Sequence, residues 1–298
     1  MRIITNPGSN LTPRVIAHYG IEIAPQRIMV DGAEHDTRAG IPFAEVDHWV
    51  KTAKEFPHVV GTTANELGQI FTKVGRTDPE MIFVTSSKKI IQSHAAGLAA
   101  ARVLSEHPTH KNLRIGVVDS TTTDAGAALI TIAAGEAAKA KVPLKTAVES
   151  LEAMSNRARL AFTVATLENL KKSGRASFLR AFVANFFDIK PLIGIVDGEL
   201  QSIGKVSGKA DPTVAILEDL KTAARGPVWI GVAHGEAPEK AAKLIERMRN
   251  ELDVAYAYVR PLSASIYLYA GRGAIMGMVI PIDGLPWTPP VPPDFSDD

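Results

Sequence analysis

No cysteine occurs among the 298 residues. That excludes disulfides, thiolate metal sites and cysteine nucleophiles together, and it fits a reducing cytosol. An excess of one charge is also missing: 33 Lys and Arg stand against 32 Asp and Glu, a net charge of +1. Such a balance supplies no general attraction to nucleic acid or to an anionic membrane surface. No window holds about 18 uninterrupted apolar residues, so no spanning helix is expected. The opening Met1-Arg-Ile-Ile-Thr-Asn-Pro-Gly8 has no apolar signal core. These absences together point to a cytoplasmic protein. Catalytic signatures are equally scarce. The 8 histidines form no His-Glu-x-x-His and no zinc-like pair. No Walker sequence appears, and Gly271-Arg-Gly-Ala-Ile-Met-Gly277 precedes a strand pattern rather than a helix. Neither a metal nor a cofactor is expected.

What is present describes a folded chain, 46% apolar and 22% charged. Its length suits two domains of roughly 100–200 residues each. In the first half, short apolar runs (2–5, 81–85, 113–119) alternate with helical patterns (11–19, 44–54, 65–73, 91–104, 125–140, 144–158). Asn65 reads as an N-cap. Strands alternating with helices imply parallel strands joined by right-handed crossovers. From residue 160 the pattern changes: strand patterns at 161–164, 192–196, 228–234, 254–261 and 274–282 surround a helix at 238–251. Asp197-Gly198 between two β-like runs signals a hairpin. The expected architecture is α/β: residues 1–158 a parallel-sheet domain, 159–282 an α+β domain with a mixed or antiparallel sheet. A proline-rich tail over 283–298 is expected to be extended or disordered.

Several polar groups invite a binding role. Gly61-Thr62-Thr63 and Thr85-Ser86-Ser87 place hydroxyls where loops at the carboxyl ends of parallel strands form a crevice. Hydroxyls and free N–H groups there hydrogen-bond a carboxylate or phosphate. Helix capping by the same residues is the competing reading. Ser120, in Asp119-Ser-Thr-Thr-Thr123, stands between the same two readings. Thr166-Leu-Glu-Asn-Leu-Lys-Lys-Ser-Gly-Arg175 ends a helix on Gly174 and presents a guanidinium just after it. Arg175 either completes the helix end or meets an acidic ligand. The apolar helix expected over 178–187 carries Phe178, Phe182, Phe186 and Phe187. It suits either a protein core or the wall of a tunnel, with Ile193 on the strand that follows.

The Thr166–Arg175 motif, together with Ile189-Lys-Pro191, Asp197-Gly-Glu199, Gly204-Lys-Val-Ser-Gly208 and His234-Gly-Glu-Ala-Pro-Glu239, resembles the DegV family of bacterial fatty-acid-binding proteins. The resemblance extends over about residues 1–280 of the sequence. It implies two α/β domains, a long-chain fatty acid buried in a tunnel of the second, and a carboxylate at the cleft between them. Some family members present that carboxylate to a fatty acid kinase. By resemblance, Thr62 and Thr63 contact the carboxylate, helped by a serine of the Ser86–Ser93 segment. Arg175 and Tyr269 stand at the cleft and partner positions, Tyr269 where the family's final His-x-Gly-x-Gly has its histidine. Ser86-Ser87-Lys-Lys-Ile-Ile-Gln-Ser93 is also two residues shorter than the family's segment. The expectation is a monomeric lipid-binding protein rather than an enzyme, with a small-molecule kinase related to dihydroxyacetone kinase, or a regulatory module without lipid, as alternatives.

Overall fold

The computed structural model describes residues 1–175, 177, 179, 189–207 and 209–295. Apart from Leu179, the helix expected over 178–187 falls outside these residues, and so do Phe178, Phe182, Phe186 and Phe187. Four strands, β1 (Arg2–Thr5), β2 (Glu22–Ile23), β6 (Glu80–Thr85) and β7 (Arg114–Asp119), form a parallel sheet in the order β2-β1-β6-β7. Residues 81–85 of β6 are all buried, as befits a strand covered on both faces. A small antiparallel sheet, β4-β3-β5, joins β3 (Arg27–Val30), β4 (Ala33–Asp36) and β5 (His58–Val60). Strands β2 and β3, only three residues apart in sequence, thus belong to different sheets.

Six strands of the second half make a mixed sheet. These are β8 (Arg159–Thr163), β9 (Ile189–Val196), β10 (Glu199–Ser207), β11 (Val228–His234), β12 (Val254–Pro261) and β13 (Ile275–Pro281), in the order β10-β9-β8-β13-β11-β12. All neighbours are antiparallel except β11 and β12. Asp197 and Gly198 both take positive φ, 51° and 80°, and close the β9–β10 hairpin tightly.

Helix α5 (Ala125–Lys139) lies between the two large sheets. It touches β1 and β6 on one side and β11, β12 and β13 on the other. Residues 125–137 are all buried, so its alanine-rich sequence serves two interfaces at once. Small side chains are required there: Gly126 lies against Met278, and the Ala125 methyl lies opposite Gly231. Asp124 caps the helix while fully buried. Its carboxylate accepts from Asn10 Nδ2 (2.7 Å), from the Ser263 N–H (2.9 Å) and from the Ser263 hydroxyl (2.8 Å). Burial nevertheless pushes its pKa up.

Beyond β13 the described residues of the tail form no helix or strand, yet they are held in place through Phe295. Arg157 donates to the Asp283 and Gly284 carbonyls, and the Trp287 N–H donates to Ser150 Oγ at 2.8 Å. Phe295 is 4% exposed, packed edge-on against the His18 and Tyr19 rings of α1 (Pro13–Tyr19).

Candidate functional site

A cavity, partly open to solvent, lies between the two halves. Its walls are mostly apolar. Phe162, Ile195, Leu200 and Met276 come from the mixed sheet, Leu170 from helix α7 (Glu168–Lys172), and Ile90 and Ile91 from the loop after β6. Ile266, Tyr269 and Ala270 come from α10 (Ala264–Ala270), and Val59 from β5.

Polar groups concentrate on one wall: Gly8, Gln26, Ser86, Thr123 and Ser265. All four side chains there are buried. Gln26 is fixed at both ends, its Oε1 accepting the Gly8 N–H (3.1 Å) and its Nε2 donating to Ser265 Oγ (3.0 Å). That leaves the Ser265 hydroxyl proton uncommitted. Among the described residues, the Ser86 and Thr123 hydroxyls have no hydrogen-bond partner. A Cβ at position 8 would sit 2.7 Å from Ser86 Oγ, so glycine is what lets this turn approach the serine. The wall therefore offers three hydroxyl donors to a ligand acceptor.

Arg175 and Tyr269 mark the cavity's other polar feature. Helix α7 ends in a Schellman turn: the Gly174 N–H bonds the Lys171 carbonyl (3.1 Å), the Arg175 N–H bonds the Leu170 carbonyl (3.1 Å), and Gly174 has φ 73°. This fixes the Arg175 main chain. Its Cζ lies 4.4 Å from the Tyr269 ring centroid, a cation–π contact. The Tyr269 hydroxyl oxygen accepts the Val59 N–H at 3.1 Å, tying α10 to β5. Arg175, Val59, Ile90 and Ile91 also line an outer groove formed by residues 59–64, 90–92, 95 and 96. The cavity thus opens outward beneath Arg175.

The hydroxyl loops are arranged differently from the sequence reading. The 61–63 loop follows a strand of the small antiparallel sheet, not of the parallel one. Thr62 and Thr63 line the outer groove, and both hydroxyls are already engaged. Thr62 Oγ1 donates to the Pro25 carbonyl at 2.6 Å. Thr63, rather than Asn65, caps α3 (Ala64–Gly75) in a capping box with Glu66. Its hydroxyl donates to Glu66 Oε2 at 2.8 Å and accepts the Glu66 N–H at 3.3 Å. Partial burial pushes the Glu66 carboxyl up, but hydrogen bonds from Arg27 and from the Thr63 N–H and hydroxyl outweigh it and hold the pKa at about 2.

Ser86 lines the cavity, whereas its neighbour Ser87 does not. Ser87 Oγ donates to the Gly198 carbonyl at 2.7 Å and joins the loop to the tip of the β9–β10 hairpin. Lys89 and Glu199 pair beside it at 2.8 Å. Ser120 makes a local turn, accepting the Thr122 N–H (3.3 Å) and donating to the Thr122 carbonyl (3.1 Å); it is Thr123, three residues on, that lines the cavity. Ile193 is buried in the core on β9, and Ile195, two residues along the strand, lines the cavity instead. Gln26 and Ser265 carry no motif that would have singled them out. Among the described residues no group of three or more His, Asp or Glu could hold a metal ion, and no helix is long and apolar enough to cross a membrane.

Comparison with known proteins gives the same architecture. The DegV family model, described as an uncharacterised protein family, matches residues 1–281. A DegV domain-containing protein of Streptomyces coelicolor is 25% identical over 288 residues, covering 93% of this chain and 97% of its own. A DegV family protein of Thermus thermophilus, described as fatty-acid binding, superposes with a TM-score of 0.84 at 22% identity, covering 94% of this chain and 99% of its own. One from Eubacterium eligens, solved loaded with heptadecanoic acid, superposes with a TM-score of 0.80 at 19% identity, covering 94% and 99%. With the family model spanning nearly the whole sequence, and the same two-domain α/β layout in the solved relatives, this chain belongs to the DegV family.

Proposed function

We propose that this protein is a cytoplasmic carrier that binds one long-chain fatty acid, or a similar acidic lipid, in the cavity between its halves. The acyl chain lies among Phe162, Leu170, Ile195 and Met276, and the carboxylate faces the Ser86, Thr123 and Ser265 hydroxyls. The observation that carries this reading is the cavity itself: apolar on most sides, with uncommitted donors gathered on one. Burying fourteen to sixteen methylenes gives roughly 11–13 kcal/mol gross at about 0.8 kcal/mol each. Immobilising the ligand offsets several of these. The body of the ligand supplies the affinity and the head supplies the selection.

The solved relatives described with bound fatty acids support the same reading. On it, residues 1–158 and 159–282 act as two domains gripping the lipid, and the protein acts as a binding protein, not an enzyme. The outer groove beneath Arg175 is where a fatty acid kinase would reach the carboxylate. The test is native mass spectrometry of the purified protein before and after organic extraction. A loss of roughly one acyl-chain mass is expected, with the free acid recovered in the extract. Identical masses and an extract without acyl chains would overturn the carrier reading.

A further inference from the structure

The residues after β13 lie beyond the 1–281 span that the family model matches, and none of residues 283–295 lines the cavity. Every residue of Thr288-Pro-Pro-Val-Pro-Pro293 either is a proline or precedes one. Proline fixes its own φ at about −65° and bars the preceding residue from helical angles. The segment's chemistry therefore dictates polyproline II, a three-sided helix of about three residues per turn. Burial follows the same count. Pro289, Pro292 and Phe295 are buried, whereas Pro290, Val291, Pro293 and Asp294 are exposed, Val291 at 61%. One edge of the helix rests on the protein and the other two face outward. Contacts at both ends hold it there. The Trp287 N–H donates to Ser150 Oγ, and Thr288 Oγ1 donates to the Ile282 carbonyl at 3.4 Å. At the far end the Phe295 ring meets His18 and Tyr19, with the Arg14 guanidinium 5.8 Å from its centroid. None of these contacts involves Pro290, Val291 or Pro293.

We propose that the fold presents Pro290–Asp294 as a ready-made polyproline ridge for a partner protein with an aromatic-lined groove and a basic flank. Grooves of that kind receive a prolyl helix by two of its edges and read the P-x-x-P spacing, which Pro290-Val-Pro-Pro293 supplies. The third edge is the one already seated on this protein, so the two attachments do not compete. Because the anchors order the segment beforehand, the partner supplies little of that ordering itself. The basic flank follows from charge. Asp294, Asp297 and Asp298 follow the ridge directly, and no Lys or Arg occurs between residues 273 and 298.

Calorimetric titration of the full chain with a panel of purified proline-binding domains whose grooves are lined by aromatic rings, WW domains among them, tests the ridge. At least one should bind tighter than about 1 mM, with affinity falling as salt is raised. Pro290→Ala and Pro293→Ala together should weaken that complex about tenfold or more while the thermal midpoint stays in place. Phe295→Ala, which releases the seated edge, should weaken it several-fold. Binding by no member of the panel would overturn the proposal, as would a complex that the paired proline substitution leaves intact. Affinity indifferent to salt would overturn the basic flank. Equal or tighter binding by Phe295→Ala would overturn presentation by the fold, since the ridge would then owe nothing to its anchors.

Discussion

Two adjacent serines offer a sharp test of the site. Ser87 Oγ donates to the Gly198 carbonyl at 2.7 Å and accepts the Lys89 N–H at 3.2 Å in a fully buried setting. Ser87→Ala leaves that carbonyl unsatisfied, at a cost of about 1–3 kcal/mol. For a chain of this size that amounts to a few degrees in Tm. Ser86 is also buried, but its hydroxyl faces the cavity without a partner. Ser86→Ala should therefore barely move Tm and should weaken fatty acid binding by about 1.5–3 kcal/mol, roughly tenfold or more. The assays are thermal unfolding of lipid-free protein and calorimetric titration with a saturated long-chain acid. Ser87→Ala is expected to shift the first and Ser86→Ala the second. A common phenotype for both variants, or the reverse assignment, would refute the claim that one hydroxyl serves the fold and the other the ligand.

Three further outcomes are expected. Ala270 is 5% exposed and lines the cavity. Ala270→Leu adds three carbons, and displacing about as many methylenes costs about 2.4 kcal/mol. A chain-length series should then show roughly 60-fold weaker binding of the longest acids and little change for acids about three carbons shorter. Glu66, held at about 2 in the folded protein, lies below its unfolded value near 4.5. Its contribution is therefore complete above pH ~4.5 and lost as pH falls toward 2. Arg27→Gln should flatten that part of the urea-midpoint profile between pH 5 and 2. Phe295→Ala should speed hydrogen exchange across the tail while the core unfolding midpoint moves little, because a terminal segment detaches locally before the domains unfold.

Much of the fold was legible where local chemistry and tertiary packing agree. The Asp197-Gly198 pair specified its hairpin, Gly174 its Schellman turn, and the alanine-rich run its buried helix α5. Helix α10 escaped notice because Ala-Ser-Ile-Tyr-Leu-Tyr-Ala is short and rich in residues with strand preference; packing overrides that preference. Helix α8 (Pro212–Lys221) does carry a start signal, Asp211 followed by proline at the first position. Strand β4 is Ala-Glu-His-Asp, mostly exposed, with no apolar alternation to reveal it. The site was harder still. Motif reading reached Ser86 but could not separate it from Ser87, because the choice depends on which hydroxyl the hairpin tip captures. Gln26 and Ser265 stand 239 positions apart in sequence and acquire meaning only when their hydrogen bond closes the polar wall.

Helix α5 acts as a common axle for the molecule. Swinging the halves apart like a clamshell would peel apolar surface off two flanks of one rod, each Å² costing about 25 cal/mol. On the carrier reading, a ligand would instead pass at the rim, where two side-chain contacts, Ser87 to Gly198 and Lys89 to Glu199, join the loop to the hairpin tip. Of these two contacts only the exposed Lys89–Glu199 pair can be altered at little cost to the fold, since the buried Ser87–Gly198 bond supports it.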